Sequence, residues 1–166
     1  MTQKEADSKY MQMAHIWATS SKAIRRKVGA LMVKDRTIIS DGYNGTPSGF
    51  PNWCEDYVSD GVVIRARSQA EFDRAVRNGN VLKTKDEVLH AEANAITKVA
   101  KSTHSSDGAT MYCTDAPCIH CAKMMVQAGI VRLVYDRDYH DTSGLDLLKE
   151  AGIEIVKFEN TESNGE

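Results

Sequence analysis

The chain has 166 residues, enough for one domain with a sizeable core and too few for two ordinary domains. Its 42% hydrophobic and 27% charged residues are near the average for folded globular proteins, which sets aside disordered and fibrous classes. A formal net charge of -2 argues against a protein that grips long nucleic acid by neutralising phosphates, so no polynucleotide partner is expected. One small phosphorylated ligand needs only a local basic cluster and remains compatible. No apolar run approaches the length of a membrane span, and Met1 to Lys9 is polar. Neither a membrane partner nor an export signal is expected, and the default address is cytoplasmic.

Tyr10 to Thr19, with Met11, Met13, Ala14, Ile16, Trp17 and Ala18, has an apolar pattern compatible with an amphipathic first helix. Lys22, Arg25, Arg26 and Lys27 form the densest positive cluster. Such a run usually covers a solvated helix end, and it can also present Arg26 or Lys27 to a 5′-phosphate. Val28 to Val33 and Thr37 to Ser40 are β-favouring runs split by Lys34-Asp35-Arg36, which predicts an antiparallel hairpin. Gly42 to Phe50 follows as a loop punctuated by Gly42, Gly45 and Gly49. Those glycines permit close backbone approach, so the loop either cradles a phosphate with its amides or makes a tight connection.

Val62 to Val81 supports only a weak helix and reads as an insertion. Ala91 to Ala100 is a stronger helix, with Ile96, Val99 and Ala100 available to one face. Ala109 to Cys113, Val131 to Tyr135 and Ile153 to Phe158 read as strands. Between them, helices at Ile119 to Ala128 and Ser143 to Ala151 stop at Gly129 and Gly152. Asn160 to Glu166 reads as a polar flexible tail, leaving 1–159 as a single domain. Alternating strands and helices favour parallel strands in the second half. Joined to the leading hairpin, they give an α/β fold with a mixed five-stranded sheet and helices on both faces.

The chemistry concentrates in His90-Ala91-Glu92 and Pro117-Cys118-Ile119-His120-Cys121. One imidazole and two thiolates suit zinc and leave a tetrahedral position for water, which points to catalysis more than to structure. Cys-x-x-Cys alone reads first as a redox pair or half of a structural zinc site. The combination changes that, because both motifs fall just before a predicted helix, and two helix N-termini can converge on one ion. His120 is left as a residue at the surface or just behind the metal ligands, since a fourth ligand would displace the water. Cys113 is expected to pack in a strand and Cys54 to sit as a loop thiol. His15, His104 and His140 have no ligand-like spacing.

Glu92 is read as a proton carrier, not a ligand. Zinc lowers the pKa of bound water toward about 7, and a nearby carboxylate can take that proton and pass it to a ring nitrogen. The alternative for Glu92 is a helix-N-terminal acid favoured by the dipole.

Together these residues resemble the cytidine deaminase superfamily, in which His-x-Glu and Pro-Cys-x-x-Cys mark zinc deaminases. The chain is similar in particular to deoxycytidylate deaminases through Val28-Gly29-Ala30, Gly42-Tyr43-Asn44-Gly45-Thr46-Pro47-Ser48-Gly49, His90 to Ile96 and Thr114 to Cys118. The resemblance implies a three-layer α/β/α fold with one catalytic Zn2+ per chain. It also implies hydrolysis of the free nucleotide dCMP to dUMP and ammonia, supplying dUMP for thymidylate synthesis. A homohexamer is implied as well, activated by dCTP and inhibited by dTTP with Mg2+. By family position Asn44 approaches the sugar, and Ala91 and Tyr139 contact the substrate. Asn44 and Gly45 also enter an effector site. A second, structural zinc is not expected, because Cys54 is isolated in the insertion while Asn80 and Val88 stand where ligands would be sought. Two other readings stay open: a deaminase of tRNA or another nucleobase with the same chemistry, and a non-catalytic zinc-stabilised interaction module that has no need of Glu92.

Overall fold

In the computed structural model, which describes residues 1–159, the first helix α1 (Gln3–Ala18) begins at Gln3 and not at Tyr10. The tail read at Asn160 to Glu166 lies outside the described residues. The early start comes from a capping box: the Thr2 side chain accepts from the Glu5 N–H, and the Glu5 carboxylate accepts from the Thr2 N–H. The added turn is polar in sequence, yet Asp7 in it is buried. Asp7 accepts two hydrogen bonds from the Arg132 guanidinium at 2.9 and 2.8 Å and one from the Tyr112 hydroxyl at 2.7 Å.

β1 (Gly29–Lys34) and β2 (Thr37–Tyr43) form the expected antiparallel hairpin. The least legible stretch follows. The weak helix expected within Val62 to Val81 is the short α2 (Gln69–Arg77), and around it the chain forms three strands that were not expected, β3 (Glu55–Ser59), β4 (Val62–Ile64) and β5 (Val81–Thr84). The strands make a separate three-stranded sheet in the order β4-β3-β5. Its hairpin turns on Asp60 and Gly61, both at positive φ, the residue pair that suits a two-residue reverse turn. Ser68 caps α2 by accepting from the Glu71 N–H.

The remaining elements are α3 (Ala91–Ala100), β6 (Thr110–Asp115), α4 (Ile119–Gln127), β7 (Arg132–Arg137), α5 (Ser143–Glu150) and β8 (Glu154–Lys157). They differ from the sequence reading by a residue or two at their ends. The main sheet has five strands in the order β2-β1-β6-β7-β8, with β6, β7 and β8 parallel and the hairpin antiparallel. Alternation along β1 sends Leu31 and Val33 to α1 and Ala30 and Met32 to the opposite face. On that opposite face, Ala95 of α3, Met125 of α4 and Leu148 of α5 pack over Met32, Met111 and Leu133. The three layers therefore bring α3 and α4 side by side at one end of the sheet. Each fully buried Met or Leu there contributes roughly 1.5–3 kcal/mol of transfer free energy.

Candidate active site

β6 ends at Asp115, and Ala116-Pro117 carries the chain into α4 with Cys118 as its N-cap residue. His90 is the N-cap residue of α3. Neither side chain makes the usual capping hydrogen bond to the backbone of its helix. Glycines let the two helix starts come this close to their supports. A Cβ on Gly42 of β2 would stand 2.1 Å from the Ala91 carbonyl oxygen, and one on Gly144 of α5 would stand 2.1 Å from the Pro117 carbonyl oxygen. α3 is further held by the Asn94 amide donating to the Tyr43 carbonyl and by the Ser40 hydroxyl donating to the Ala95 carbonyl, each at 2.7 Å.

The result brings His90, Cys118 and Cys121 together, with their ligand atoms within 4.8 Å of one another. Nδ1 of His90 is 3.5 Å from the Cys118 sulfur and 3.4 Å from the Cys121 sulfur. With Zn–S near 2.3 Å and Zn–N near 2.0–2.1 Å, a tetrahedral ion sets that separation at about 3.6 Å. The donor set and its spacing thus fit zinc. Cys121 is buried and Cys118 half-buried, while His90 is on the open side. The Cys118 thiol is pushed down to about 3, first by its hydrogen bond with Cys121 and then by His90; the same hydrogen bond and burial push the Cys121 thiol up. His90 is shifted upward, chiefly by its hydrogen bond with Cys118.

Glu92 is 3% exposed, and burial raises its carboxyl above the usual carboxylate range, with its own backbone N–H and His90 opposing. A carboxyl group placed beside the cluster is of the type that accepts and returns a proton in general acid–base catalysis.

His90, Glu92 and Cys118 border a cavity of about 360 Å³, within the range of about 300–1,000 Å³ usual for small-ligand sites. Ala91, Arg26, Asn44 and Tyr139 border it too, so it gathers most of the residues expected to meet a substrate. Lys27 and Gly45 do not border it: Lys27 is exposed, and its carbonyl accepts from Arg137. A larger hollow of about 1040 Å³ lies between α1 and β8, near Phe158 and Glu159 where the described residues end, and among the described residues it has no metal-binding cluster.

A family model described as the cytidine and deoxycytidylate deaminase zinc-binding region matches residues 4–137. The chain belongs to this deaminase family. It is 35% identical to a deoxycytidylate deaminase of Enterobacteria phage T4, covering 89% of this chain and 87% of that protein. It is 36% identical to the Homo sapiens deoxycytidylate deaminase, covering 90% and 77%. A crystal structure of the dCMP deaminase of cyanophage S-TIM5 in complex with dCMP and dUMP superposes with a TM-score of 0.78 at 38% identity, covering 95% of this chain and all of that one.

In this deaminase the partners of the expected cavity residues, and some further wall residues, were not readable in advance. Arg26 is already paired with Asp115, a buried carboxylate that also holds Arg137 at 2.7–2.8 Å. The Asn44 side chain is engaged with the backbone at both ends. Its oxygen accepts from the Val28 N–H and its amide donates to the Arg26 carbonyl, each at 2.8 Å, so it braces the strand entry and the basic loop. The backbone N–H groups of Asn44 and Gly45 donate to the Val28 and Leu89 carbonyls, which leaves neither free to cradle a phosphate. Tyr139 stands against His140, whose ring lies 4.2 Å away, and His140 borders the cavity despite its lack of ligand-like spacing. Glu55 and Thr84, paired across β3 and β5, supply part of the wall from the small sheet. Asp60-Gly61 was the sequence signal for that sheet; nothing local marked Glu55 or Thr84 as site residues. His120 is exposed outside the metal cluster, and His15 pairs with Asp136 at 2.7 Å. Cys113 is buried in β6, and Cys54 is a free thiol in the loop before β3, as expected, and is fully buried. No helix among the described residues is long and apolar enough to cross a membrane.

Proposed function

We propose that this chain hydrolyses dCMP to dUMP and ammonia with one zinc ion held by His90, Cys118 and Cys121. The observation that carries the reading is the buried Glu92 beside that three-ligand cluster, on the wall of a cavity that also presents Arg26. A merely structural zinc site requires neither a buried acid next to the ligands nor a cavity in front of them.

Zinc, when bound, supplies Lewis acidity that makes water a nucleophile at neutral pH. The protein's residues do the rest. Ala91 and Tyr139 confine the pyrimidine, and Asn44 stands at the sugar. Arg26, oriented by Asp115, meets the 5′-phosphate, with Lys27 a weaker candidate. Glu92 takes a proton from water and delivers it to the ring nitrogen next to the reacting carbon. It then passes the second proton to the exocyclic nitrogen as the carbon–nitrogen bond breaks, and ammonia leaves. The same acid thus serves both halves of the exchange of amine for oxygen.

The wider reading rests on the family resemblance. It comprises a homohexamer in the cytoplasm that supplies dUMP for thymidylate synthesis, activated by dCTP and inhibited by dTTP with Mg2+. The exposed Ile16 and Trp17 on α1 offer apolar surface for subunit contact. Effectors act only through unequal affinity for two conformations.

Zinc removal tests the core of the proposal. Chelation is expected to abolish ammonia release from dCMP, and stoichiometric zinc to restore it. Full turnover by metal-free protein contradicts the reading.

A further inference from the structure

Glu55 opens β3 and is 1% exposed, yet half of its carboxyl group lacks a partner. Oε1 accepts from the backbone N–H groups of Ile24 at 2.8 Å and Arg25 at 3.1 Å. Oε2 is buried with no hydrogen-bond partner among the described residues. A buried acceptor without a donor is costly, and it persists where a ligand or water completes it. Glu55 borders the same cavity as His90 and Glu92.

We infer that Glu55 is a specificity residue whose Oε2 accepts a hydrogen bond from the 3′-hydroxyl of the nucleotide. The inference rests on the proposed reaction, and it follows from counting donors. Apart from its phosphate, dCMP offers two donor groups, the exocyclic amine and the 3′-hydroxyl. The amine is the leaving group and must sit between Glu92 and the metal ligands. The phosphate is an anion, disfavoured beside an acidic side chain and matched to Arg26. The hydroxyl is the group left for a lone acceptor. Oε1 fixes the Glu55 side chain to the Ile24-Arg25 backbone, one residue before Arg26, so the sugar and phosphate contacts share one support.

The test compares dCMP with 2′,3′-dideoxycytidine 5′-monophosphate, which lacks that hydroxyl. In the wild type, kcat/KM for dCMP is expected to exceed that for the dideoxy analogue by roughly 10- to 100-fold, the range for removing one partner of a buried hydrogen bond. Glu55→Gln keeps a carbonyl oxygen for Ile24 and Arg25 and places an NH2 group where Oε2 was. In that variant a neutral amide that can only donate to the hydroxyl oxygen replaces the charged acceptor, so the ratio is expected to fall by roughly tenfold, the difference between a charge-assisted and a neutral hydrogen bond, with zinc content and thermal midpoint retained. A wild-type ratio near one, or an unchanged ratio in the variant, overturns the assignment. A crystal of Glu92→Gln soaked with dCMP gives a reading independent of the Glu55 variant. There O3′ is expected within about 3.2 Å of Glu55 Oε2, and O3′ turned elsewhere overturns the assignment. Turnover of dCMP with no preference for the hydroxyl strikes Glu55 alone, whereas no turnover of dCMP strikes the proposed reaction as well.

Discussion

Gly42 of β2 lies so close beneath Ala91 of α3 that a methyl group on it would stand 2.1 Å from the Ala91 carbonyl oxygen and 2.8 Å from the Ala95 nitrogen. The contact ties the sheet to the helix start that carries His90 and Glu92. Backbone on both sides leaves no flexible side chain to give way. Gly42→Ala is therefore expected to destabilise the fold by about 3 kcal/mol, the upper range for overpacking. For a chain of this size that is a fall of roughly 6–12 °C in thermal midpoint. Because the strain falls on the first turn of α3, zinc occupancy should drop with it. Calorimetry and metal analysis on the variant check both.

Glu92→Gln separates chemistry from binding. The amide keeps the size of the side chain but carries no titratable proton. Zinc content and dCMP binding are expected to stay near wild type, while turnover falls by at least about 100-fold, the lower bound for a general acid–base group. Single-turnover rates and equilibrium dialysis on the same preparation measure the two effects. Near-normal turnover assigns the proton transfer to another group.

The Asp7 network ties α1 to β6 and β7 and makes stability depend on acidity. Burial alone raises the Asp7 carboxyl, but hydrogen bonds from Arg132, Tyr112 and Gln3 outweigh it and leave it below the usual carboxylate range. The folded state thus favours the ionised form. Its contribution is fully present above the unfolded value of about 3.9 and is lost as pH falls through the lower folded value. Asp7→Asn is expected to cost about 2 kcal/mol near neutral pH, the range for a hydrogen bond to a charged group. Urea unfolding at several pH values checks the shape: the difference between wild type and variant stays constant above about pH 5 and shrinks below about pH 4.

The parts of the molecule legible in the sequence are those fixed by local chemistry. Helix α3 matches the apolar run of Ala91 to Ala100, and α4 and α5 end where Gly129 and Gly152 take positive φ. The cluster of His90, Cys118 and Cys121 was legible because Cys-x-x-Cys and His-x-Glu place their side chains at helix starts whatever the rest of the chain does. Long-range pairing was not. The first turns of α1 look too polar to be helical, since Asp7 is satisfied by Arg132 and Tyr112 from distant strands. Arg26 reads as a solvated cation until Asp115 is brought beside it. The insertion gave the poorest reading because its three strands are short and leave Val62, Val63 and Val81 exposed, so alternation carries no inside or outside. Nothing in the sequence singles out Glu55, the first residue of that sheet, although it is fully buried at the cavity wall.

The most direct test of the central claim is the initial rate of ammonia release by zinc-loaded protein from dCMP, deoxycytidine, dCTP and CMP, measured side by side. Arg26 at the cavity predicts that dCMP is preferred over the unphosphorylated nucleoside. Its kcat/KM should exceed that of deoxycytidine by at least roughly tenfold, the least expected for one charge-assisted contact to the phosphate. No ammonia from dCMP, or equal use of deoxycytidine, contradicts the account.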